Sequence, residues 1–137
     1  MLHLYEDIKI LKKSHPLALE VYRVTKTFPT EEMYGLVSQM RRSATSISAN
    51  ICEGKGRGSD KEMIRYLLIS RASLYELSYH FMMSRDLAYV SEENYKRLLD
   101  MADEVGRMIS GMIEYLKTQV STISRKSAVS SRLKSKV

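Results

Sequence analysis

Residues 59–88 read SDKEMIRYLLISRASLYELSYHFMMSRDLA, and their apolar positions recur at helical spacing. Met63, Leu67, Ser70, Leu74, Leu77, Phe81, Ser84 and Ala88 form a heptad-like stripe along one face of a helix over about 60–89. Ser59 followed by Glu62 is a capping-box pattern, in which each side chain satisfies an orphan N–H at the helix start. Roughly opposite the stripe, at about 100° per residue, lie Ile64, Leu68, Ala72, Tyr75, Tyr79 and Met82. A helix on the outside of a monomeric bundle carries a charged outer face instead. The second apolar face therefore predicts self-association along Ile64, Leu68, Tyr75, Tyr79 and Met82. Met101, Met108 and Tyr115, seven residues apart, extend that contact as a shoulder from the following helix.

Similar stripes lie on both sides. Gly54-Lys55-Gly56-Arg57-Gly58 breaks the chain ahead of residue 59. Before the break, Met33, Leu36, Val37, Met40, Ala44, Ile47 and Ile51 predict a helix over about 31–53. Thr30 is its expected N-cap, with Glu31 and Glu32 at the positive end of the helix dipole. Leu17, Val21, Val24 and Phe28 predict a first helix over about 8–27, which Pro16 either kinks or begins. Ser91, Glu92 and Glu93 open a last helix over about 92–119, carrying Tyr95, Leu98, Ala102, Val105, Ile109, Met112 and Leu116. Four striped helices on short loops predict an all-α fold, an up-down-up-down antiparallel four-helix bundle in residues 1–119 that oligomerises. The Ser/Lys/Arg-rich residues 120–137 predict a basic tail, disordered in isolation.

At 137 residues the chain supports one domain and one core. Its net charge of +6 is unevenly placed. Of 22 basic residues, five lie in the tail, which leaves 17 against 16 acidic residues in 1–119. Cys52 is the single cysteine, so no internal disulfide and no all-cysteine metal site is possible. His3, His15 and His80 are scattered without metal-ligand spacing, and neither metal nor cofactor is expected. No apolar run approaches the roughly 20 residues that cross a bilayer, so no membrane partner is expected. A reduced cytoplasmic location fits these features best.

Two groups of residues are candidates for binding. Arg41, Arg42, Lys55, Arg57, Lys61 and Arg65, with Arg71, are expected to cluster at one end of the bundle. There the glycine loop and the following helix start could meet phosphate. The same glycines also serve as a helix C-cap, and the same cations can balance Glu53 and Glu62. The tail cations Arg125, Lys126, Arg132, Lys134 and Lys136 form the second group. Without aromatic residues the tail cannot stack bases. Gln39, Asn50, Glu53 and Glu76 are expected to form a buried polar network that sets helix register. No nucleophile or ligand pair accompanies them, so catalytic residues are not expected and the chain is not expected to be an enzyme.

The run Phe28-Pro29-x-x-Glu32-x-x-Gly35-Leu36-x-x-Gln39-x-Arg41-Arg42-Ser43-x-x-Ser46-Ile47-x-x-Asn50-Ile51-x-Glu53-Gly54 resembles the signature of bacterial four-helix bundle proteins encoded in 23S rRNA intervening sequences. Ser59-x-Lys61-Glu62-x-x-x-Tyr66-Leu67-x-Ile69-Ser70-x-x-Ser73-Leu74-x-Glu76-Leu77 is similar to that family's third helix. The resemblance covers about residues 4–119, with Cys52 and the longer basic tail as departures. It implies a ring-like homopentamer, and a relation to the accessory variability protein of diversity-generating retroelements, a basic pentamer that binds nucleic acid and a reverse transcriptase. The resulting expectation is a non-catalytic homo-oligomer that binds RNA or DNA through repeated basic clusters and tails. The alternative is a protein-interaction scaffold, such as an accessory subunit of a reverse transcriptase.

Overall fold

The computed structural model describes residues 2–135, and no strand occurs among the described residues. One helical turn, α1 (Leu4–Asp7), precedes four long helices: α2 (Leu11–Thr25), α3 (Leu36–Gly56), α4 (Asp60–Asp86) and α5 (Glu92–Ser135). Side-chain contacts give the direction of each helix against its neighbours. Ser14 Oγ lies 2.7 Å from Ser48 Oγ, and Arg41 Nε donates to Thr25 Oγ1 at 3.0 Å, so α2 and α3 are antiparallel. Ser46 Oγ lies 2.9 Å from Ser73 Oγ while the Ser84 hydroxyl donates to Met40 Sδ at 3.4 Å, which turns α4 against α3. Arg71 reaches Ser110 at 3.3 Å and Leu74 packs on Gly106, reversing α5 against α4. Lys13–Glu104 at 3.2 Å and Arg97–Glu20 at 2.6 Å close the square between α5 and α2. This is the predicted up-down-up-down four-helix bundle.

The four predicted stripes supply the core. Leu17, Val21, Met40, Ile47, Leu67, Leu77, Phe81, Leu98, Val105 and Ile109 are fully buried. Near the end of α5 the register differs from expectation: Ile113 is buried and Met112 exposed. Buried hydroxyls are satisfied, as where Ser70 on α4 donates to the Ile47 carbonyl of α3 at 2.8 Å.

Glu20 ties the bundle together. Its carboxylate accepts from Arg23 on α2 and from Arg97 on α5. The Arg23 hydrogen bond, and after it that of Arg97, hold the Glu20 carboxyl below its usual range although burial pushes the other way. A carboxyl depressed in the folded state stabilises at neutral pH, and that contribution is lost as the pH falls through the folded pKa. Glu20→Gln is therefore expected to lower stability by up to about 1 kcal/mol at neutral pH. The difference from the unaltered chain should close in acid, as urea melts at the two conditions would record.

The second helix begins later than its cap signals predict. Thr30–Glu32 is a 3-10 turn, and α3 starts only after Gly35. Glu32 caps it nonetheless, accepting from the Leu36 N–H at 3.3 Å. Met33 consequently leaves the core stripe and is exposed. The first predicted helix, about 8–27, is α2 alone; the turn α1 lies ahead of it, and Pro16 falls inside α2 rather than at its start. The glycine break is shorter than predicted, since α3 runs through Gly56 and the chain turns at Gly58, φ +81°. Only half of the capping box forms: the Glu62 N–H donates to Ser59 Oγ at 3.2 Å, but the Glu62 carboxylate is held by Arg65 at 2.7 Å.

The largest departure is the tail. Where composition predicts disorder over 120–137, α5 continues to Ser135; Lys136 and Val137 lie outside the described residues. Nucleation is the unfavourable step in helix formation, and here the bundle-supported part of α5 has already supplied it. No glycine or proline follows Gly111, and Arg132 and Lys134 in the last turn complement the helix dipole. Every residue from 121 to 135 is exposed, so the extension is an unsupported arm of about 22 Å, at about 1.5 Å per residue.

At the other end of α4, Ala88 holds φ at +62°, where its Cβ is crowded. The turn closes with the Tyr89 N–H donating to the Ser84 carbonyl at 2.8 Å, an arrangement usually built on glycine. Ala88→Gly is expected to stabilise the chain by about 0.5–1 kcal/mol, the relief of strain exceeding the added freedom of the unfolded chain. A thermal melt would read this as a rise in Tm.

Candidate nucleic-acid interface

The body cations expected to cluster at one end occupy three separate places. Arg42 and Lys55 lie on one helix about 20 Å apart, at about 1.5 Å per residue. Because α3 and α4 are antiparallel, Arg65 sits beside the Lys55 end. Arg71 is elsewhere again, lining a cleft between α4 and α5 with Arg107. Sequence proximity misled here because consecutive motif residues run along a long helix rather than around one end of it.

At the α3–α4 turn the arginines are neutralised internally. The Arg57 guanidinium donates to Glu53 at 3.0 Å and to the Tyr66 hydroxyl at 2.7 Å. Arg65 donates to Glu62 at 2.7 Å and to the same hydroxyl at 3.2 Å. Both guanidinium carbons lie over the Tyr66 ring, at 5.2 and 4.6 Å from its centroid. Hydrogen bonds from Arg57 and then Tyr66 hold Glu53 below the usual carboxylate range, and that from Arg65 does the same for Glu62. Gly54 permits this arrangement: a Cβ there would stand 2.7 Å from Tyr66 Cβ. Lys55 and Lys61 flank the cluster and are exposed, with no ion pair to either among the described residues.

Near the start of α3 the cations are less compensated. Arg41 is anchored by Thr25 and lies 4.7 Å over the Tyr22 ring, while Arg42 is exposed. Among the described residues no carboxylate lies within 4.0 Å of either guanidinium. On the arm Arg125, Lys126, Arg132 and Lys134 are all exposed, and Lys136 falls outside the described residues.

The expected polar network does not form. Gln39 is exposed, Glu53 belongs to the arginine cluster, and Glu76 is exposed beside His80, 3.3 Å away. Across the helices Glu53 accepts from the Tyr66 hydroxyl at 3.1 Å, while Asn50 donates within α3 to Ser46 Oγ at 2.9 Å, the hydroxyl that meets Ser73. Serine hydroxyls meet across the helices instead, because the small side chains at 14, 46, 48 and 73 let the backbones approach too closely for long polar residues.

The second face of α4 is open in the single chain. Tyr75 is 73% and Tyr79 54% exposed, with Leu68 and Met82 beside them and Tyr115 on α5. Ile64, Met101 and Met108 are partly buried against the core. Cys52 is half-buried, and burial pushes its thiol pKa up.

The sequence reading overlooked the surface around Tyr22, Met33 and Tyr34. Tyr34 is 95% exposed, beside Met33 and a few residues ahead of Arg41. The available signal was an aromatic residue lying on no apolar stripe, just before a glycine.

A family model described as 23S rRNA-intervening sequence protein matches residues 6–111. Among solved structures, the chain is similar to a protein of unknown function from the S23 ribosomal protein family of Bacteroides thetaiotaomicron. The two share 25% identity with a TM-score of 0.72, over 79% of this chain and 97% of the other. No curated protein matches the chain.

Proposed function

The chain belongs to the 23S rRNA-intervening sequence protein family, and we propose that it is a non-catalytic RNA-binding protein whose copies self-associate and present their basic arms together. The observation that carries the reading is the arm: an exposed helix with Arg125, Lys126, Arg132 and Lys134 and no acidic residue after Glu114. Such a helix has no core to stabilise and is a field of positive charge aimed at phosphates. The open apolar face of α4 supports association of copies. Joining several arms multiplies weak phosphate contacts through effective concentration.

Filter binding of RNA by the full chain and by residues 1–119 across a salt series tests the proposal. If the five tail cations each meet a single-stranded phosphate, truncation lowers the log-log salt slope by about 3.5. Equal slopes would remove the arm from the mechanism.

A further inference from the structure

We infer that the surface formed by α2 and the start of α3 is a stacking site for unpaired nucleotides, so that the RNA-binding reading above, on which this rests, concerns single strands rather than duplex. A cleft of about 420 Å³ there is lined by Tyr22, Met33, Val37, Arg41, Arg42 and Thr45. Arg41 is already set for the task. Its Nε is fixed on Thr25 and its guanidinium carbon lies over the Tyr22 ring, 4.7 Å from the centroid. Arg42 adds a second cation at the rim. The nearest acids on the adjoining turn are Glu31 and Glu32, and Glu32 is engaged with the backbone of Leu36. Tyr34 follows the lining residue Met33 in the chain and has its ring in water.

Aromatic faces and cations interleaved in this way are what a single strand needs. Every base offers a π face to an aromatic ring, and the phosphate between bases is met by arginine. In a duplex those faces are already stacked on one another. The arm contains no aromatic residue among 116–137, so it contributes charge alone. The Tyr22–Tyr34 surface supplies the missing component, on a part of the bundle away from the α4 face.

The test uses the full chain, a uridine homopolymer of about a dozen nucleotides, and a blunt RNA duplex of the same length. The chain has nine tyrosines and no tryptophan, so stacking is read directly as quenched tyrosine emission. Tyr34→Ala is expected to weaken single-strand binding about tenfold with the salt slope unchanged. Arg41→Ala with Arg42→Ala is expected to lower the slope by about 1.4, circular dichroism confirming the fold. Single-strand binding that is unaltered by Tyr34→Ala, or no tighter than duplex binding, overturns the stacking site alone. Failure of the full chain to bind either RNA overturns the functional reading and this inference together.

Discussion

Gly54→Leu is expected to destabilise the fold by about 3 kcal/mol, with Gly54→Ala reaching a smaller part of the same range. Helix propensity by itself argues the reverse, since alanine exceeds glycine by about 1 kcal/mol in a helix interior. Packing decides the sign. A Cβ at position 54 would stand 2.7 Å from Tyr66 Cβ and 3.0 Å from Met63 Sδ, and the Tyr66 atom is fixed to the α4 backbone. Relief therefore requires α3 and α4 to separate where their buried contact is continuous. Urea unfolding measures the loss. An alanine variant as stable as the unaltered chain would mean that the two helices can part there without penalty.

Tyr75→Glu combined with Tyr79→Glu is expected to raise the dissociation constant of self-association about a thousandfold. Aromatic anchors of an interface are worth about 2 kcal/mol each, and every 1.4 kcal/mol is about tenfold. Both residues are exposed in the single chain, so helix content should not change. Because the arms then no longer act together, RNA affinity should fall by about a hundredfold or more although every tail cation remains. Sedimentation of the variant reads the first effect, and filter binding the second. Unaltered association would place the contact on another face.

The bundle was legible because it rests on periodicity. The stripes at Leu17–Val24, Met40–Ile51, Leu67–Phe81 and Leu98–Ile109 reach the core as written, since a three-four spacing leaves one face to bury. Element ends were less legible. The Thr30 cap signal yields to a 3-10 turn because Phe28 is buried and must be followed by a change of direction at Pro29. The helical form of the arm is not legible in its composition, because its conformation is inherited from the helix that precedes it.

The candidate site was legible in its residue types and not in their grouping. Arg57 and Arg65 share Tyr66 with Glu53 and Glu62, an arrangement that becomes visible only once α3 and α4 are paired. Glu76 and Gln39 point away from the serine contacts that join the helices, and no spacing rule separates a buried polar position from an exposed neighbour. Tyr34 lies on no stripe, and only its near-complete exposure marks it out.

Light scattering on the full chain, across a wide range of concentrations and at moderate salt, bears most directly on the proposal that copies meet along α4 and gather their arms. A stable species at an integral multiple of 15.8 kDa is the predicted result. A well-folded particle that keeps the single-chain mass at the highest concentration would contradict it.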